Sequence, residues 1–190
     1  MMGQTEIKLG GFGGQGIILA GYIIGKAAAL YDKKNATLTQ SYGPESRRGA
    51  CSAKIIVSDE EIDYPEVLYP NVLIVMSKEA YLKFSPALIE GGTLLYDDDL
   101  VESNIKIDNS IKAYAIPATR MAEDLGKKIV ANIIMLGFFA AIMAVVTKRS
   151  LEEAIKTSIP KGSEELNLMA FQKGFEYGRK LIKEQSNVKS

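Results

Sequence analysis

Apolar positions along the chain follow two rhythms, one strand-like and one helix-like, and a glycine-rich break separates the first example of each. Residues 5–9 form a short apolar run of strand character, and residues 15–30 carry apolar side chains densely enough for a well-buried helix. Between them lies LGGFGGQG, residues 9–16, with five glycines in eight positions. Residues 31–35, YDKKN, read as a polar loop in which the Asp32 carboxylate is expected to be solvated, and residues 36–40 read as a second strand. Cys51, Ala53, Ile55 and Val57 share one face of a strand predicted over 51–58, and SDEEIDYPEV then makes an acidic loop. NVLIVM, residues 71–76, is a continuous apolar run of the kind covered on both faces in a parallel sheet, which predicts a central strand.

The second half keeps the alternation. A helix is expected over 79–89, broken at Pro86, and Gly91-Gly92 ends it before a strand at 93–97; a further strand at 112–116 stops at Pro117. Strands alternating with helices predict an α/β fold: a three-layer α/β/α domain with a mainly parallel central sheet, a Rossmann-like strand–glycine loop–helix opening and a helical C-terminus. Residues 129–146, IVANIIMLGFFAAIMAVV, hold one polar member, Asn132, and are diluted by alanines and a glycine. A membrane span takes about 20 predominantly apolar residues, so a buried core helix is the expectation. Ser150-Leu151-Glu152-Glu153 has the form of a capping box opening a helix to about 158, and Ser163 is placed to cap a last helix over 164–183. The expected organisation is a single domain over 1–183 with a frayed tail, 184–190.

Composition narrows the chemistry. The 190 residues carry 23 Lys+Arg against 23 Asp+Glu, which suggests neither a nucleic-acid footprint nor an acidic tail. One cysteine, Cys51, and no histidine leave no intrachain disulfide, no Ser-His-Asp or Cys-His nucleophile and no zinc site of ordinary ligand type. An iron–sulfur cluster takes about four thiolates, so this sequence does not supply one by itself. The single thiol and the lack of a leader-like start point to the cytoplasm, with no membrane partner.

The glycine loop admits three readings. Gly11-Phe12-Gly13-Gly14-Gln15-Gly16 matches GxGxxG in its proper place between strand and helix. A dinucleotide site needs, in addition, an acidic residue about 20 positions on, at the end of the second strand, and here that strand ends Leu38-Thr39-Gln40. An anion or a cofactor tail at the helix N-terminus is the second reading. The third is a tight turn with close packing and no ligand. A second constellation, Tyr42-Gly43-Pro44-Glu45-Ser46-Arg47-Arg48-Gly49, joins two predicted strands and carries more aromatic and guanidinium chemistry than a turn requires. It suits a protein surface or an acidic group on a partner, and equally a solvated loop.

Taken together, GFGGQG and SYGPESRRGACSAKIIVSDEEIDYP resemble the gamma subunit of 2-oxoacid:ferredoxin oxidoreductases, closer to the 2-oxoglutarate and 2-ketoisovalerate types. Pro70 ahead of the central strand, Gly91-Gly92, and Asn132 with Leu136-Gly137 continue the likeness; Arg48-Gly49-Ala50 with Arg47 before it, and the neutral Asn71, depart from it. The resemblance implies a multisubunit enzyme that converts a 2-oxo acid to its acyl-CoA and passes electrons to ferredoxin. Thiamine diphosphate, Mg and 4Fe-4S clusters are then held by the alpha, beta and ferredoxin-like delta partner subunits, with coenzyme A as co-substrate. This chain is expected to bind none of these cofactors alone, to lack activity when isolated and to be able to form a homodimer. Gly11, Gly13, Gly14, Gln15 and Gly16 are candidate contacts to an anion or to coenzyme A. Tyr42, Gly43, Pro44, Glu45, Arg47 and Arg48 are candidate partner contacts. A stand-alone dinucleotide-binding oxidoreductase is the alternative.

Overall fold

A computed structural model of the protein describes residues 3–41, 50–101, 105 and 107–188. Strands β1 (Thr5–Phe12), β2 (Asn35–Ser41), β3 (Ala50–Ser58), β4 (Val72–Val75), β5 (Thr93–Asp97) and β6 (Lys112–Ile116) form one sheet in the order β2-β3-β1-β4-β5-β6. β1, β4, β5 and β6 run parallel, whereas β3 is antiparallel to both its neighbours. The helices are α1 (Ile17–Lys26), α2 (Lys78–Phe84), α3 (Ala118–Asp124), α4 (Ala131–Met143), α5 (Lys148–Lys156) and α6 (Glu164–Val188).

β4 shows why the sheet is central. Val72 and Ile74 join the larger core with α1 and α4, while Leu73 and Val75 face the opposite side with Ala80, Tyr81 and Phe84 of α2. Four consecutive apolar residues are thus buried on alternating faces, and the layers are α/β/α. β3 stands between β1 and β2 and is antiparallel to both, so β2 runs parallel to β1 one strand removed. The strand that a dinucleotide site would need beside β1 is therefore at the sheet edge, one strand removed.

α4 is buried all round because α1, α3, α5 and α6 surround it. Its approach to α6 depends on glycine: a Cβ on Gly137 would overlap the Phe171 carbonyl oxygen, and one on Gly174 would overlap that of Ile134. Small residues at such crossings let helix backbones touch. Among the described residues no helix is long and apolar enough to cross a membrane.

Several boundaries move. The long apolar segment is a 3-10 turn at Lys128–Val130 followed by α4, which stops at Ala144 in the left-handed conformation (φ 48°). α1 ends in a π-helical turn, Ala27–Tyr31. The first strand extends to Phe12, so Gly11 lies in β1 and not in the loop. α6 runs past residue 183 to Val188.

The capping-box reading of Ser150 is corrected: Thr147 is the N-cap of α5, its hydroxyl accepting from Ser150 N–H at 3.2 Å, and Ser150 lies inside the helix. The cause is Asp32, which is clasped and not simply solvated. Its carboxylate accepts from Thr147 N–H at 2.7 Å, from Thr147 Oγ1 at 2.8 Å and from Ser150 Oγ. Burial pushes this carboxyl up, but the hydrogen bonds from Ser150 and Thr147 outweigh it and hold the group below the ordinary aspartate value.

Candidate functional site at the strand carboxyl ends

The parallel strands all deliver their carboxyl ends to one side, and the loops that follow β1, β4, β5 and β6 meet there. The chain leaves β1 toward β2 on one flank and β4 toward β5 on the other, which makes the β1/β4 boundary a switch point. Such crevices are where open α/β sheets receive ligands.

Gln15 fixes the glycine loop to this boundary. Its Oε1 accepts from Phe12 N–H at 2.6 Å and its Nε2 donates to the Met76 carbonyl at 2.8 Å, so one amide ties the end of β1 to the end of β4. Gly16, the N-cap of α1, is left-handed (φ 72°) and lies against Asn132, whose Nδ2 donates to the Gly16 carbonyl at 3.1 Å. A side chain on Gly16 would displace that amide. Asn132 is buried, and its Oδ1 has no partner among the described residues. Gly13 and Gly14 differ in kind: a Cβ on either meets nothing within 4 Å, so their backbone faces open space.

The first helical hydrogen bond of α1 runs from Ala20 N–H to the Gly16 carbonyl at 2.9 Å. The amides of residues 16–19 thus lack an acceptor within the helix and carry the positive end of its dipole. Just before α1, Gly14 and Gln15 line a cleft of about 450 Å³, walled also by Met76, Leu100, Ile129 and Ala131 and bordered by Thr119 and Lys128. Ile129 is 61% exposed, a large apolar side chain turned outward at the cleft. Lys128 pairs with Glu123 at 2.5 Å on the exposed rim.

Beneath the cleft, Asp97 closes β5. It is fully buried and accepts from Thr119 N–H at 3.0 Å, Thr119 Oγ1 at 2.6 Å and Asp99 N–H at 3.2 Å, which orients the start of α3. Burial raises its carboxyl above the ordinary value, Asp99 adds to the rise, and the Thr119 and Asp99 hydrogen bonds oppose it. Asp99 turns outward to pair with Arg120 at 2.9 Å, while Asp98 Oδ1, itself buried, lies 4.0 Å from the same guanidinium. Asn71, the neutral departure before β4, accepts from Glu6 N–H at 2.7 Å and needs no charge to do so.

Of the candidate glycine-loop residues, Gly14 and Gln15 line the cleft, Gly13 precedes them facing open space, Gly16 packs against Asn132, and Gly11 lies behind in β1. The expected partner contacts Tyr42, Gly43, Pro44, Glu45, Arg47 and Arg48 lie outside the described residues. Sequence reasoning missed Met76, Leu100, Thr119, Lys128 and Ile129. Their common signal is position, each at or shortly after the carboxyl end of a strand or at the turn before α4.

Fold and cleft define a doubly wound α/β module that presents a glycine loop and an open helix end where its parallel strands finish. The model of the pyruvate ferredoxin/flavodoxin oxidoreductase family matches residues 6–177. The chain belongs to that family, as a gamma subunit of the 2-oxoacid:ferredoxin oxidoreductases. It is 51% identical over 179 residues to the 2-oxoglutarate synthase subunit KorC of Methanocaldococcus jannaschii, covering 94% of this chain and 96% of that one. The gamma subunit of the keto/oxoacid ferredoxin oxidoreductase from Geobacter sulfurreducens superimposes with a TM-score of 0.81 at 41% identity, over 92% of this chain and 98% of the other. A 2-oxoglutarate:ferredoxin oxidoreductase from Magnetococcus marinus, solved with 2-oxoglutarate, coenzyme A and succinyl-CoA bound, shares the fold at a TM-score of 0.79 and 21% identity, over 93% of this chain and 31% of that one.

Proposed function

We propose that the chain serves a 2-oxoglutarate:ferredoxin oxidoreductase, and that its cleft receives part of coenzyme A. In that reaction the 2-oxo acid loses carbon dioxide, its acyl group passes to the coenzyme A thiol, and the electrons released leave for ferredoxin. Thiamine diphosphate with Mg and the 4Fe-4S clusters belong to the alpha, beta and ferredoxin-like delta subunits in this reading, which the single cysteine and missing histidine of this chain support. The resemblance to KorC supports 2-oxoglutarate as the acid.

The observation that carries the reading is the conjunction just before α1: Gly14 and Gln15 line a mainly apolar cleft with a cation at its rim. The residues present suit coenzyme A. The Lys128 ammonium and the backbone of Gly14 and Gln15, which leads into the positive end of α1, match a phosphate, and Met76, Leu100 and Ile129 match a neutral, partly apolar arm. Gly13 and Gly14, with no atom in front of them, let an anion approach the backbone. This chain's part is to bind and orient; it moves no proton and breaks no bond.

Gly13→Asp tests this in the assembled enzyme, because a side chain there meets nothing within 4 Å and its backbone is not left-handed. The KM for coenzyme A is expected to rise about tenfold, the scale of one like-charge repulsion of on the order of 1–2 kcal/mol near a surface, while the KM for the 2-oxo acid stays unchanged. Lys128→Glu acts in the same direction. An unchanged KM for coenzyme A in both variants removes the cleft from coenzyme A binding.

A further inference from the structure

β2 is an edge strand, with β3 on its inner side and, among the described residues, no strand on its outer one. Its seven residues, NATLTQS, contain no proline and no charge, the features that ordinarily blunt an edge. The opposite edge, β6, begins at an exposed lysine, Lys112, and has α6 packed beside it. An unguarded edge offers a row of backbone donors and acceptors in the plane of the sheet.

The side chains of β2 divide by face. Ala36 and Leu38 pack with the α1 core, next to a shallow groove of about 310 Å³ between α1 and β2. Tyr22 and Leu30 stand at this groove 47% and 67% exposed. Thr37 and Thr39 alternate to the other face, opposite Ile56 and Lys54 of β3. Both Oγ1 atoms are buried without a hydrogen-bond partner among the described residues. A buried hydroxyl without a partner costs stability; both are covered by this chain's own atoms, and a turn about χ1 brings each to the open edge, where a neighbouring strand supplies a partner.

We propose that β2 pairs antiparallel with β2 of a second copy of this chain, about a two-fold axis at Leu38, so that the two six-stranded sheets become continuous. The strand is self-complementary about that residue. Thr37 then faces Thr39 of the second copy and Thr39 faces its Thr37, which assembles four hydroxyls on one face. Cross-strand threonine pairs hydrogen-bond, and a rotation about χ1 exchanges hydroxyl and methyl to meet the new partner. On the other face the two Leu38 side chains meet, flanked by Tyr22 and Leu30 from both copies. No like charges oppose each other, because β2 carries none. The contact is isologous and closes at two chains.

Sedimentation and light scattering of the purified chain measure the association, and the structure predicts a dimer at micromolar concentration. Thr37→Lys with Thr39→Lys sets four ammonium groups face to face, and is expected to weaken association at least about tenfold while circular dichroism stays native. The register is read by disulfide trapping in a Cys51→Ser background. Thr37→Cys with Thr39→Cys together cross-link the two copies on mild oxidation, since facing Cβ atoms in a sheet come within disulfide reach. Either cysteine alone faces a threonine and stays monomeric under denaturing conditions. A chain that remains monomeric at about 100 µM, far above the micromolar affinity expected of a specific pair, overturns the proposal. So does a dimer indifferent to the lysine pair, or cross-linking by the single cysteines as efficient as by the double. A β2 edge that pairs only with another subunit of the oxidoreductase gives the first of these results.

Discussion

Gly174→Ala probes the closest approach at any described glycine, and elementary rules give it opposing signs. Helix propensity alone makes the substitution stabilising by about 1 kcal/mol, since glycine is the poorest ordinary residue in a helix interior. The structure opposes it: the new Cβ lies 2.8 Å from the Ile134 carbonyl carbon and overlaps its oxygen. Carbon atoms pack at about 3.5–4.0 Å, so α4 and α6 must part by on the order of 1 Å. Both colliding groups are backbone, and no rotamer relieves them. The parting loosens Ile134, Phe138 and Phe171, all fully buried. Overpacking of a close-packed core costs typically 1–3 kcal/mol and sometimes more, and a backbone collision belongs at the upper end. After the propensity gain, a net loss of about 2 kcal/mol is expected, equivalent to a melting temperature lower by roughly 4–8 °C in a chain of this size. Thermal unfolding followed by circular dichroism measures it. Gly25→Ala in α1 is the matched control: nothing lies within 4 Å of its Cβ position, so the same substitution is expected to stabilise by up to about 1 kcal/mol. A neutral or stabilised Gly174→Ala refutes the packing argument.

The Asp32 clasp carries the remaining predictions. Asp32→Ala frees the first turn of α5 and is expected to cost about 2 kcal/mol in urea unfolding at neutral pH, the scale of hydrogen bonds to a charged acceptor. Because the folded carboxyl lies below its unfolded value of 3.8, its contribution is complete above that value and is lost as pH falls through the lower folded one. The stability gap between wild type and Asp32→Ala is therefore constant from about pH 8 to pH 5 and narrows below about pH 4. Asp97 acts with the opposite sign: burial raises its folded value, so its effect grows as pH rises. It is common to both proteins and cancels in the difference. A gap that persists unchanged to the acid limit contradicts the clasp.

Local periodicity made much of the fold legible. NVLIVM announced β4 because a strand covered on both faces has no polar position to interrupt it. The glycine loop, and the absence of an acid at Gln40, were equally visible. What escaped were contacts between residues far apart in sequence. Ser150 reads as a cap because S-x-x-E is a local pattern, whereas Thr147 wins through a carboxylate 115 residues away. Gly137 and Gly174 look like weak points in two helices until the helices are seen to touch there. The antiparallel placement of β3 depends on pairing that no local pattern encodes. At the site, the glycines could be named, but the cleft could not, because Met76, Leu100, Thr119 and Lys128 converge only through the sheet order.

This chain works as a gamma subunit within a larger redox enzyme. Affinity capture of the tagged chain from a native extract, followed by assay of the captured material for ferredoxin reduction dependent on 2-oxoglutarate and coenzyme A, tests it most directly. Thiamine- and cluster-bearing subunits are expected to arrive with the chain and bring the activity, while the purified chain alone is expected to be inert. Turnover by the purified chain with a nicotinamide cofactor, or capture without any of those subunits, contradicts it.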